Sequence, residues 1–229
     1  MYVLSHVQKR YARRGQHVDA LCDVSLEIEP GEYLALIGAS GSGKTTFLSM
    51  LGGMLSPDEG QIWIDGASLY ECSVAARAVL RRDKIGFVFQ TFNLVPYMSA
   101  VENVQVPLYL AGMGRREQRE QAISLLERLG LGNRLNHKPS EMSIGQQQRV
   151  ALARTLANSP PVILADEPTG NLDAESRSCV LNFLGELHSE GHTIVVVTHD
   201  EVAARAADRR LALVNGSLER GDPHAAQAA

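Results

Sequence analysis

Residues 38–45 read GASGSGKT, a GxxxxGKT spacing that follows an apolar stretch and opens a helical one. These residue types in this pattern suit a polyphosphate. Glycine lets main-chain N–H groups turn inward and approach phosphate oxygens that a Cβ would hold off. Lys44 can reach β and γ phosphates, Thr45 offers a hydroxyl to Mg²⁺, and a helix starting near Gly43 points its positive end at the anion. A second candidate is VILADE at 162–167, an apolar strand ending in two carboxylates. Neighbours on a strand face opposite ways, so Asp166 and Glu167 take different roles unless the chain turns there. Beside a phosphate loop, Asp166 suits the metal and Glu167 suits the base or water orienter of phosphoryl transfer.

These groups need an α/β framework to hold them. Stretches 2–8, 24–29, 33–38, 61–65, 85–89, 162–166, 193–199 and 210–214 read as strands. Strand 33–38, the glycine loop and the next helix give the order of a βαβ unit. Residues 99–158 break the α/β alternation with three consecutive helical patterns, which predicts an all-helical subdomain inserted into a parallel-sheet core. Within it, Ile123, Leu125, Leu126 and Leu129 recur at helical spacing. A further helix is expected over roughly 173–189, and the tail DPHAAQAA is expected to be loose. In EMSIGQQQRV, Ser143 and Gln146 have capping-box spacing, which starts a helix that Pro160 and Pro161 stop.

Composition narrows the function. A chain of 229 residues suits one sizeable core, and its net charge of −4 gives no positive field for nucleic acid, so nucleic acid is not an expected partner. Three widely spaced cysteines, Cys22, Cys72 and Cys179, fit neither a disulfide framework nor a zinc site and read as thiols in a reducing compartment. No apolar run approaches the ~20 residues that span a bilayer. The basic N-terminal stretch lacks the apolar region of a secretory signal, which places the protein in the cytoplasm.

Taken together, GASGSGKT, FVFQ, SIGQQQRV, VILADEPTGNLD and VVVTHD stand in the order and approximate spacing of the ATP-binding cassette (ABC) ATPases, and the chain resembles that family from Tyr11 to about Gly216. The resemblance implies an α/β P-loop NTPase fold: a RecA-like parallel-sheet core, an N-terminal antiparallel β subdomain and an inserted α-helical subdomain. It implies one domain over 1–229, with a core lobe at about 1–90 and 160–220 and the helical subdomain at about 91–159. Its cofactors would be ATP and Mg²⁺. Tyr11 would stack on adenine, and Gly38, Ala39, Ser40, Gly41, Ser42, Gly43, Lys44, Thr45 and Thr46 would wrap the triphosphate. Thr45, Gln90 and Asp166 would hold Mg²⁺. Gln90 would also touch the attacking water, His199 would reach the γ-phosphate, and Lys44 and Glu167 complete the catalytic set. Ser143, Gly145 and Gln146 would meet the nucleotide on an opposing subunit, with Asp173 at that interface, so the working form is a homodimer enclosing ATP.

The family pattern LSGGQ stands here as MSIGQ, and Ile144 in place of the first Gly is the main departure. At a first helical turn φ is negative, so Ile is allowed if its side chain points away from the nucleotide, whereas Gly145 must stay small. The segments ADEPTGNLD and FQTFNLVPYMSAVENVQVPL are similar to the lipoprotein-release and macrolide-export cassettes (LolD and MacB types). That likeness implies work at the inner face of the cell membrane with separately encoded permease subunits of MacB or FtsX kind. The alternative is an FtsE-like cassette that signals through its membrane partner to cell-wall enzymes. A soluble ABC ATPase of DNA repair or translation would carry coiled coils, zinc modules or two cassettes, none of which is present.

Overall fold

A computed structural model of the chain describes residues 1–13, 16–170 and 172–219, so the tail DPHAAQAA lies outside the described residues. Two long strands, β1 (Tyr2–Arg13) and β2 (Gln16–Ile28), form an antiparallel ribbon, which β4 (Glu59–Ile64) and the short β5 (Ala67–Ser68) extend to a four-stranded sheet in the order β2-β1-β4-β5. The second sheet holds β3 (Tyr33–Ile37), β6 (Ile85–Val88), β7 (Val162–Asp166), β8 (Thr193–Thr198), β9 (Arg209–Val214) and β10 (Ser217–Glu219) in the order β10-β9-β3-β8-β7-β6. All its pairings are parallel except β10 on β9.

The parallel sheet is covered on both faces, which is why its strands read as continuous apolar runs. In β7, Val162 and Leu164 pack toward the four-stranded sheet and helix α1 (Lys44–Leu51), while Ile163 and Ala165 pack on the opposite face. In β8, Val195 and Val197 take the first face and Ile194 and Val196 the second. Each fully buried Val, Leu or Ile contributes about 1.5–3 kcal/mol of transfer free energy, which holds these strands rigid beneath their polar ends.

Between β6 and β7 lie α3 (Ala100–Leu110), α4 (Arg115–Arg128) and α5 (Ile144–Thr155), packed on one another with no strand among them. Ser99 starts α3 with a capping box to Glu102, and Ser143 starts α5 with a capping box to Gln146, as its sequence predicts. The buried stripe of α4 is Gln118, Ala122 and Leu126, continued by Leu129 beyond its end; Ile123 and Leu125 are only half-buried. Two further helices, α6 (Ala174–Ser189) and α7 (Glu201–Ala204), follow β7 and β8.

Two expectations need correction. The strand after the glycine loop and α1 is β4, which joins the antiparallel sheet, so β3 and α1 do not begin a local βαβ unit; the parallel neighbours of β3 are β8 and β9. The first strands are also longer than 2–8 and 24–29 suggest. Register shifts interrupt the β1–β2 ladder, and His6 and Asp23, both at φ 52°, break the alternation that marks a strand.

Candidate nucleotide site

Strand order brings the chemistry together. Strands β3, β8, β7 and β6 are parallel neighbours, so the segments leaving their C-terminal ends emerge along one edge. They carry the glycine loop after β3, Thr198 and His199 at the end of β8, Asp166 and Glu167 at the end of β7, and Gln90 just after β6. Open α/β sheets place ligands outside the carboxyl ends of their strands.

The glycine loop is fixed by its neighbours. Gly43 has φ 107°, and a Cβ there would come within 2.1 Å of Ala20 O on β2, so both conformation and close backbone approach require glycine. Gly216 N donates to Ser42 O at 3.1 Å and Phe47 N donates to Gly43 O at 2.9 Å. Gly43 is also the N-cap of α1 and offers no side-chain acceptor to the first turn. The first N–H groups of α1 have no partner within the helix, which makes this end a donor cluster for an anion. Lys44 is 8% exposed, and its Nζ donates to Gly38 O at 2.6 Å and Ala39 O at 3.0 Å.

The chain does turn at the acidic pair. Glu167 has φ 45°, a left-handed conformation that costs a non-glycine residue free energy unless its surroundings impose it. The two carboxylates still take separate partners. Thr45 Oγ1 lies 3.4 Å from Asp166 Oδ1, while Glu167 turns toward β8. His199 N donates to Glu167 Oε1 at 3.1 Å, His199 Nδ1 lies 2.8 Å from the same oxygen, and Thr198 Oγ1 donates to Oε2 at 3.0 Å. A carboxylate only accepts, so Nδ1 carries the ring proton of that bond. Lys44 Nζ lies 4.0 Å from Glu167 Oε1. Burial raises the Asp166 carboxyl above its usual range and the Glu167 charge adds to this, against the Thr45 hydroxyl and Lys44. The hydroxyl and carboxylate together are hard oxygen donors suited to Mg²⁺, whose charge would stabilise ionised Asp166.

A cleft of about 570 Å³ joins Tyr11, Ser40, Gly41, Gly43, Lys44, Thr45, Thr46, Gln90, Asp166, Glu167 and His199. Val18 and Ala20 of β2 also line it, beside Tyr11, and the sequence offers no cue to them because a hairpin register brings them there. Gly38, Ala39 and Ser42 belong to the loop but do not line this cleft; Ala39 and Ser42 face a smaller cavity of about 150 Å³. Ser143, Gly145, Gln146 and Asp173 lie outside the cleft of their own chain. Asp173 caps α6: its carboxylate accepts from Ser176 N at 2.8 Å, and that bond lowers its pKa. Gly145 abuts the same turn, since a Cβ there would meet Ser176 Oγ at 2.1 Å. Ile144 is 54% exposed.

The family model for ABC transporters matches residues 21–170. The macrolide export ATP-binding/permease protein MacB of Shewanella oneidensis is 48% identical over 211 residues, which cover 92% of this chain and 32% of that protein. MacB of Burkholderia pseudomallei is 45% identical over 224 residues, covering 97% of this chain and 34% of that protein. The chain thus spans about a third of the length of these curated relatives. A dimeric post-hydrolysis structure of the ATP-binding cassette MJ0796, bound to ADP and Pi, matches with a TM-score of 0.91 and 42% identity over 97% of this chain and 98% of that one. A dimeric structure of MJ0796, a bacterial ABC transporter cassette, matches with a TM-score of 0.91 and 44% identity over 96% of this chain and 97% of that one. With the family model spanning more than half the sequence and solved cassettes matching nearly all of the fold, this chain belongs to the ABC transporter family.

Proposed function

We propose that the chain is the ATP-binding and hydrolysing cassette of an ABC transporter, which closes as a homodimer on ATP and drives a membrane permease. One observation carries this reading: the phosphate loop, Asp166, Glu167, His199 and Tyr11 share one cleft, while Ser143 and Gly145 stand outside it on the same chain. A site with its triphosphate loop on one subunit and its capping helix start on another explains that separation.

In this reading Tyr11 stacks on the base, and the loop N–H groups, Lys44 and the α1 N-terminus bind the triphosphate. Thr45, Asp166 and Gln90 would hold Mg²⁺, directly or through water, and the bound ion would supply positive charge to offset that of the phosphates. Glu167 takes a proton from the attacking water, and His199 reaches the γ-phosphate. The Ser143 hydroxyl, Gly145 N–H and Gln146 at the start of α5 meet the partner's nucleotide, and Asp173 lies at that interface. Residues of about 91–159 act as a helical subdomain against a core lobe of about 1–90 and 160–220, and Gln90 joins them.

The permease partner finds support in a second, mainly apolar groove of about 530 Å³ beside the segment that carries Gln90, lined in part by Phe87, Phe89, Val106, Pro107 and Leu110. Among the described residues no helix is long and apolar enough to cross a membrane. In this reading the chain works at the inner face of the membrane, through that permease. The relatives named macrolide export ATP-binding/permease proteins favour export over signalling to cell-wall enzymes. Lys44→Ala tests the reading: labelled-ATP binding or turnover falls at least tenfold, and wild-type turnover would overturn it.

A further inference from the structure

The carboxylate that the proposed function assigns to proton abstraction is gripped from two sides. Its Oε1 faces His199, through the backbone N–H at 3.1 Å and Nδ1 at 2.8 Å, its Oε2 accepts from Thr198 Oγ1 at 3.0 Å, and the same backbone N–H lies 3.4 Å from Oε2. The two side-chain grips differ in permanence. The His199 side chain is 67% exposed on the rim of the cleft, free to swing, whereas Thr198 is 0% exposed at the last position of β8.

Thr198 is also fixed in polarity. A hydroxyl has one proton and acceptor lone pairs. Asp200 N donates to Thr198 Oγ1 at 2.9 Å, which occupies the acceptor side and leaves the proton for Glu167. Asp200 is itself held, since its carboxylate accepts from Val202 N at 2.9 Å and lies 3.5 Å from Arg177 Nη1 on α6. The hydroxyl is therefore a pre-oriented donor set in a buried strand end. It acts on a residue at φ 45°, a conformation that its surroundings must impose.

We propose that Thr198 is a positioning residue for ATP hydrolysis, its hydroxyl keeping Glu167 Oε2 aimed at the attacking water when the His199 side chain turns to the γ-phosphate, Nδ1 leaves Oε1 and only the His199 backbone N–H still holds the carboxylate from that side. This inference rests on the reading of Glu167 given above. As the water oxygen bonds to the γ-phosphorus, its proton passes to Glu167, and the bond to the bridging oxygen breaks, leaving ADP with that oxygen. Held by the Thr198 hydroxyl as well as by the His199 backbone N–H, the carboxylate keeps its line to the water through this step. Without the hydroxyl a single N–H facing both oxygens is left, about which the carboxylate can turn, and a displacement of about 1 Å at such a site costs up to roughly a hundredfold in rate.

The test measures kcat and KM for ATP of the wild type, Thr198→Val, Thr198→Ser and Glu167→Gln, in the assembly where the wild type turns over. Thr198→Val is expected to lose roughly 10- to 100-fold in kcat with KM within about twofold, and Thr198→Ser to recover most of it. A valine variant within about twofold of wild-type kcat, a KM that rises in parallel with the loss, or a serine variant as slow as valine overturns the proposal. If melting shows that Thr198→Val does not fold, Thr198→Cys, of similar size and a poorer donor, takes its place under the same criteria. Wild-type turnover by Glu167→Gln would sink the reading of Glu167 itself, whereas loss there with turnover intact in Thr198→Val sinks only the role of Thr198.

Discussion

Replacing Gly145 by alanine separates two reasons for a glycine at that position. In the folded chain the new Cβ would lie 2.1 Å from Ser176 Oγ and 2.9 Å from Ser176 Cβ. The hydroxyl can rotate away at the cost of its 3.2 Å bond to Asp173 Oδ2, but Cβ cannot, so the starts of α5 and α6 must part by several tenths of an ångström. Overpacking of this kind costs about 1–3 kcal/mol, against which alanine gains up to about 1 kcal/mol of helix propensity over glycine. The net expectation is a loss of about 1–2 kcal/mol, read as a shift of the urea midpoint at constant slope. Ser176→Gly removes both contacting atoms, so the double variant should regain most of the loss, with a coupling energy of about 1 kcal/mol or more. If Gly145 N–H also approaches a partner's phosphate, ATPase activity stays low in the double variant while stability returns. A Gly145→Ala chain as stable as wild type, or additive effects in the cycle, would refute the packing argument.

Two further perturbations address neighbouring features. Ile144 is 54% exposed at the first turn of α5, so Ile144→Gly should cost about 0.5–1 kcal/mol through propensity and change ATPase activity by no more than a few-fold; a rise of orders of magnitude would mark MSIGQ as a degenerate motif. Glu102 closes the capping box of α3, and hydrogen bonds from Ser99 N and Oγ lower its pKa. A lowered folded pKa stabilises above the unfolded carboxylate value and is lost as pH falls through the folded one. The wild type should therefore exceed Glu102→Gln by about 0.5 kcal/mol in urea unfolding at pH 7, and the gap should close below pH 4.5; a gap independent of pH would contradict this.

Local chemistry was the most legible part of this chain. The strands leading to Asp166 and Thr198, the GASGSGKT loop and the capping box of Ser143 all write their structure in consecutive residues, because buried strands need apolar runs and helix starts need side-chain acceptors; the second of these strands stops one residue before its expected end at His199. Helix α2 (Val74–Lys84) shows the limit: none of its residues is fully buried and Leu80 packs only partly on the core, so no fully buried position anchors its apolar face. The partner sheet of β4 was illegible for another reason, since βαβ order is local whereas sheet membership is decided by pairing with β1. Among the candidate site residues, Lys44 and Glu167 announce themselves by type and motif, whereas Tyr11 enters only through the family resemblance. Val18, Ala20 and the hydroxyl of Thr198 do not, because their contribution depends on register and on a contact 31 positions away in sequence. The constraint on Gly145 is likewise tertiary, set by Ser176 on another helix.

In the proposed function two copies of this chain close on ATP, each completing the other's site. Sedimentation of Glu167→Gln with ATP and Mg²⁺ reads that closure, because binding without hydrolysis should hold the closed form. The expected species is a dimer carrying two ATP, which returns to monomer when ATP is replaced by ADP or when Ser143→Arg blocks the facing helix start. A Glu167→Gln chain that binds ATP fully yet sediments only as a monomer would contradict it.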